Sequence, residues 1–242
     1  MAIALVNHVN AQASANASYT SSSIDTSGAN FIVAVWAIDD AVSVPVFQDN
    51  KGNGNATQSA AYFNYVGAGT ILGIFYWENP IVGTGHTFTA AASNTRLAGA
   101  FSVAAFSGVA TSSSIDQTSF ANVGNTTSIQ PGSITPTQNN ELVITGWTMN
   151  GNGVTDTPTC SGTTAAYVTP RGGALPCLGA GLAYVIQTTA AAVNPTWSWT
   201  SNDYATSVIA SFKQAAGGGG ITGPLMSGHL LAGGPLLGRL VR

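Results

Sequence analysis

The chain has 242 residues, 6% of them charged, and its six basic and nine acidic side chains give a formal net charge of −3. No cluster of Lys or Arg occurs, so the electrostatic footprint needed to hold a phosphate backbone is missing, which argues against direct nucleic-acid binding. Typical soluble domains carry about 25% charged residues; here Ser, Thr, Asn, Gln, Gly and Ala must cover the surface. Weak self-repulsion of that kind suits a protein packed against copies of itself or a lattice, or a neutral domain facing the exterior.

Residues 1–6 are apolar but lack a basic flank, and Asn7-His8 ends the run too early for a signal peptide. The segment reads as a first strand of a protein folded in a cytoplasm. Residues 10–13 and 188–193 are Ala-rich and could each form a helical turn, but neither is long enough for an independent helix. Residues 31–38 (FIVAVWAI) are apolar on both alternating faces, the mark of a strand buried on two sides. Residues 70–77 and 96–106 behave alike, and residues 141–149, 180–187 and 204–213 supply further strands. His86, Phe88 and Ala90 alternate with Thr87 and Thr89, and the alternation of Trp197 and Trp199 with Thr196, Ser198 and Thr200 puts both indoles on one face.

Many short strands punctuated by Gly, Asn, Ser and Pro, with no crossover helices, predict an all-β antiparallel sandwich of jelly-roll type. A body over residues 1–214 suits one large β domain of roughly 200–250 residues. No internal repeat is visible in it. No run approaches the roughly 20 apolar residues of a membrane span, so no membrane partner is expected.

After the body come a Gly-rich tether, residues 215–222, and an apolar tail, residues 223–242. The tail repeats itself imperfectly: Gly223-Pro224-Leu225-Met226 recurs as Gly234-Pro235-Leu236-Leu237, and Gly228-His229-Leu230-Leu231 as Gly238-Arg239-Leu240-Val241. Contiguous apolar side chains left in water mark contact sites. Leu225, Met226, Leu230, Leu231, Leu236, Leu237, Leu240 and Val241 are therefore the expected partner-binding residues of a docking peptide.

Strand and turn patterns over residues 30–213 carry a resemblance. They are the 31–38 strand, the turn at residues 46–53, residues 101–109 followed by Ser114-Ile115-Asp116, residues 141–146, and the final Trp-bearing strands. In these the body resembles jelly-roll-like β-sandwich proteins of bacteriophage particles and bacterial surfaces, and the tail is similar to C-terminal anchoring peptides of virion proteins. The resemblance implies a non-enzymatic structural protein of the virion: a head-decoration, capsid-associated or tail component. Its partners would be the major capsid protein or another virion protein, in a homo-oligomer or lattice.

Chemistry-bearing motifs are sparse. His8, His86 and His229 lack the i, i+2 or i, i+4 spacing of a metal site, and each is expected at a surface or interface. Glu78 and Glu141 are the only glutamates and could pair as a glycosidase acid and base, although both sit at strand boundaries that explain them equally well. In residues 49–55 (DNKGNGN) Lys51 stands where a calcium loop wants an oxygen ligand, so a Gly/Asn turn is the better reading; a structural Ca²⁺ near Asp39-Asp40 has no further support. Cys160 and Cys177 are two thiols by default in a reducing cytoplasm, with a spacing that would also allow a bridge. No catalytic residue, metal or cofactor is expected. The second reading is a carbohydrate-binding or adhesion module with exposed aromatics, Trp197 and Trp199 first and Tyr62, Tyr65 and Trp77 behind them; core packing is the competing use of these rings.

Overall fold

A computed structural model describes residues 1–13, 18–39, 46–65, 70–91, 98–150, 156–169 and 178–216, without the side chains of 39, 61–65 and 150. Among them are fourteen strands and no helix: β1 (Ala4–Ala13), β2 (Ser18–Thr20), β3 (Phe31–Asp39), β4 (Val46–Asp49), β5 (Thr57–Tyr65), β6 (Thr70–Glu78), β7 (Phe88–Ala91), β8 (Gly99–Ser107), β9 (Ile115–Ile129), β10 (Glu141–Asn150), β11 (Thr159–Ser161), β12 (Ala165–Thr169), β13 (Ala180–Gln187) and β14 (Thr196–Phe212). The protein is an antiparallel β-sandwich. The first main sheet runs β1-β8-β3-β6-β5 and the second β9-β14-β10-β13-β12.

β3 shows why its sequence is apolar throughout. Phe31, Val33, Val35 and Ala37 face the second sheet, against Leu142, Ile144, Leu182, Val208 and Phe212. Ile32, Ala34, Trp36 and Ile38 face the other way, under a small outer sheet ordered β2-β7-β4 that contributes Tyr19, Phe47, Phe88 and Ala90. A strand between two layers has no solvent face on which to place a polar residue.

The two halves of the chain share one topology. Numbering the main-sheet strands of each half in chain order, both sheets read 1-5-2-4-3. They stack with β1 over β12, β8 over β13, β3 over β10, β6 over β14 and β5 over β9, the arrangement that a two-fold axis through the β3/β10 pair produces. The match extends to single rungs. Phe31 faces Phe106 as Leu142 faces Phe212, and Trp36 faces Gly73 as Trp147 faces Gly181. A register shift follows the Leu5–Phe106 rung and another the Ile115–Phe212 rung. Isolated bridges join Ile24 to His86 and Ile134 to Val193. Tyr76 and Tyr184 both point into the shared core.

The outer layers correspond too. In the C-terminal half, residues 196–198 of β14 lie between β11 and the end of β9, repeating the order β2-β7-β4. There the outer strands are continuous with the main ones, bent by register shifts around Asp203. Each half thus alternates between a main and an outer sheet in jelly-roll fashion. The expectation of a body without internal repeat is corrected: the duplication lies in register and burial, where few identical residues mark it.

Neither of the helical turns that the Ala-rich segments allow is formed. Residues 10–13 finish β1, because pairing with β8 continues to the Ala13–Gly99 rung and tertiary pairing overrides a weak Ala preference. Residues 188–193 form no helical turn; Val193 bridges Ile134.

Candidate functional site

The eight tail residues from Leu225 to Val241, His229 and the tetraglycine at 217–220 lie outside the described residues. The point from which they depart is fixed. Val109 bridges Gln214, the Ala215 N–H donates to Gly108 O at 2.8 Å, and Gln214 Nε2 donates to Met1 O at 2.8 Å. Ala215, expected in the tether, is therefore tied to the body.

Trp197 and Trp199 do lie on one face, but that face is interior. They are 0% and 7% exposed and pack with Trp147, Met149 and Ala183 on the outer side of the second sheet. Trp197 Nε1 donates to Thr145 Oγ1 at 3.1 Å, and a Cβ at Gly181 would come within 2.7 Å of the Trp197 ring. Core packing, the competing use weighed for these rings, is where they are found; neither ring offers a face to solvent on which a sugar could stack. Trp77 is also buried and donates to Gly54 O; the side chains of Tyr62 and Tyr65 lie outside the description.

The most organised polar cluster contains a residue expected at the surface. His86 is fully buried. Its Nδ1 lies 2.8 Å from Thr26 Oγ1 and its Nε2 lies 3.0 Å from Asp49 Oδ2. A carboxylate only accepts, so a ring proton on Nε2 faces Asp49, leaving Nδ1 to accept the Thr26 hydroxyl in the neutral ring. Hydroxyl, imidazole and carboxylate stand in the order of a nucleophilic triad, but Thr26 is 0% exposed and no substrate could reach its oxygen. The cluster's work is structural. Asp49 also accepts from the Lys51 and Asn53 N–H groups and from Asn53 Nδ2, fixing the 49–55 loop as a turn in which Gly52 and Gly54 adopt positive φ. The carboxylate weighed as a cation ligand thus serves its own chain. The pattern of alternation around residue 86 pointed to a strand; nothing in it announced the pairing with Asp49.

His8 does sit at the surface, stacked on Tyr167 with ring centroids 3.6 Å apart, and partial burial lowers its pKa.

Glu78 and Glu141 take separate roles. Glu78 accepts the Ser113 and Ser114 N–H groups at 3.2 and 2.5 Å and so caps that turn. Glu141 is 0% exposed, and neither of its carboxyl oxygens has a hydrogen-bond partner of good geometry. Burial pushes its pKa up, and the nearby Asp116 charge adds to the effect. Burial alone would raise Asp116 too, but the Thr137 N–H and hydroxyl, both 2.8 Å away, outweigh it, helped by Lys213, and hold it low. Two carboxyls with opposed shifts can divide acid and base roles; here Glu141 has no opening to solvent. Cys160 is half-buried, and burial pushes its thiol up to about 12. Cys177 and Asp40 lie outside the described residues, so the bridge and the Asp39-Asp40 cation site do as well. Among the described residues no group of three or more His, Cys, Asp or Glu side chains gathers to hold a metal.

Compared with protein-family models and with curated proteins, the chain matches no family and no individual sequence.

Proposed function

We propose that this protein is a non-enzymatic assembly subunit, a structural component of a virus particle, which attaches to neighbouring subunits through its C-terminal tail. The observation that carries the reading is the repeated Leu-rich segment beyond a tetraglycine, leaving a body from a fixed point beside Met1 and Gly108. A Gly-rich tether follows flexible-coil scaling, so four to six residues reach roughly 10–15 Å. A tail on such a tether gains from high effective concentration once the body is seated on the same assembly. The 6% charge content favours close packing among like subunits. The particle setting, on a capsid or a tail, rests on the resemblance described above.

Deletion of residues 217–242 is the test. The truncated body should keep its far-ultraviolet spectrum and melting transition, yet no longer co-sediment with particles assembled in the producing cell. Undiminished incorporation without the tail would overturn the proposal.

A further inference from the structure

Thr26 is closed to outside substrates, but one acyl group needs no path to it: the peptide bond that joins it to Asp25. Only Cβ, Cα and the Thr26 nitrogen separate Oγ1 from the Asp25 carbonyl carbon, so attack closes a small ring with no partner to bring in. The groups that such an attack needs surround it. Thr26 Oγ1 lies 2.8 Å from His86 Nδ1 and 3.3 Å from Gly83 O, so the ring is the nearer acceptor of the hydroxyl proton. Asp49 Oδ2, 3.0 Å from Nε2, stabilises the imidazolium formed when Nδ1 takes that proton. The Asp25 carbonyl oxygen, on which negative charge would develop, accepts from Asn7 Nδ2 at 3.1 Å. On the leaving side, the Thr26 N–H donates to Gly83 O at 3.1 Å, and the Gly83 N–H steadies Oγ1 at 3.1 Å. The Asp25 carboxylate is itself occupied by the Ser27 N–H at 2.9 Å.

The other half of the chain shows that the fold does not demand these groups. There the Ile24–His86 bridge is matched by Ile134–Val193, and Pro136 stands where Thr26 would. The bridge forms with neither hydroxyl nor imidazole beside it.

We propose that, beyond fixing its loop, this cluster lets the chain cleave itself between Asp25 and Thr26 by an N-to-O acyl shift. His86 Nδ1 takes the hydroxyl proton as Oγ1 bonds to the Asp25 carbonyl carbon. The bond from that carbon to the Thr26 nitrogen then breaks, and the imidazolium returns its proton to the nitrogen. An ester now joins Asp25 to Thr26 Oγ1, and Thr26 carries a free amine. Asp25 is exposed, so water reaches the ester from outside and splits it, leaving a carboxylate on Asp25 and restoring the hydroxyl. One water is consumed and no other reactant is needed. β1 and β2 remain paired with β8 and β7, so the cut body stays assembled until it is unfolded.

The full chain, held at neutral pH with and without hydroxylamine and then unfolded, is read by intact mass. Fragments ending at Asp25 and beginning at Thr26 are expected. Hydroxylamine should speed their release and leave a hydroxamate on Asp25, the mark of the ester. Thr26→Ala should stay whole and Thr26→Ser should still be cut. Asn7→Ala, which spares the buried cluster, should slow the cut roughly ten-fold or more. A wild-type chain that stays whole even in hydroxylamine overturns the proposal, as does cutting of Thr26→Ala at the wild-type rate. Deleting residues 217–242 should leave the cut unchanged, so this inference and the tail's role in assembly stand or fall separately.

Discussion

The two halves of the chain solve one packing problem with different residues, and the differences lie in the outer layers and on the internal axis. In the N-terminal half, a separate sheet closes over β3 and a fully buried His86–Asp49–Thr26 chain of hydrogen bonds locks a loop to it. At the corresponding bridge in the C-terminal half stands Val193, beside Ile134, Val143 and Ile209, an entirely apolar cluster. That half instead bends β9 and β14 over themselves and fills the space with three tryptophans. On the axis, Val35 of β3 meets Gly146 of β10, where a Cβ would come within 2.6 Å of Val35 Cγ1. The matched Trp36 and Trp147 rungs make these two positions equivalent. A residue on a two-fold axis meets its own counterpart, and here there is space for one valine. Topology is shared; chemistry at the interior positions is not.

That contrast can be broken most strongly at the tryptophan layer. Trp197→Ala should cost about 3–5 kcal/mol by chemical denaturation, the range for deleting a large buried aromatic. An unperturbed melting curve would mean that the ring is not interior.

Next comes the polar lock. His86→Val copies the residue of the other half but leaves Asp49 buried without its imidazole partner, so a loss of about 2–3 kcal/mol is expected. A stabilised variant would show that the lock contributes nothing beyond apolar packing.

Overpacking the axis is milder. Gly146→Val should destabilise by about 1–3 kcal/mol, and adding Val35→Gly should recover part of that loss, since the swap moves the valine to the other side of the axis. Absence of recovery would deny the two positions their equivalence.

The smallest effect is at Glu141. A carboxyl whose folded pKa is raised contributes stability that is complete below its ordinary value of about 4.3 and lost as pH rises through the folded value. Glu141→Gln should therefore raise the melting temperature at pH 7 and leave it unchanged near pH 4. A gain at low pH and none at neutral pH would contradict the raised value.

The doubly buried strands were legible because burial on both faces leaves one composition available; residues 180–187 coincide with β13 as a result. β9 was not. Its Thr, Ser, Asn and Gln side chains line an edge, where solvent removes the demand for alternation. Residues 204–213 were read as a strand apart from the alternation at 196–200, whereas one strand, β14, runs through both and changes layers at the register shifts around Asp203. Alternation placed Trp197 and Trp199 on one face but could not say what covers it. The burial of His86 depends on Asp49, 37 residues away, and the duplication on rungs such as Trp36–Gly73 and Trp147–Gly181, which emerge only when strands are paired. The tail was conspicuous because an apolar repeat beyond four glycines has no local use.

Gln214 reaches the carbonyl of Met1, so the two ends of the folded body meet, while the exposed Thr111-Ser112-Ser113 turn joins its halves. A gene rearranged to encode the second half first, closed by a short joint at residues 216 and 1 and opened at that turn, would preserve every strand pairing. Sequence order along the polypeptide is then a matter of ancestry, and a tail attached at the opened turn would still leave the body beside residues 214–216, because Val109 and Ala110 pair with Gln214 and Lys213.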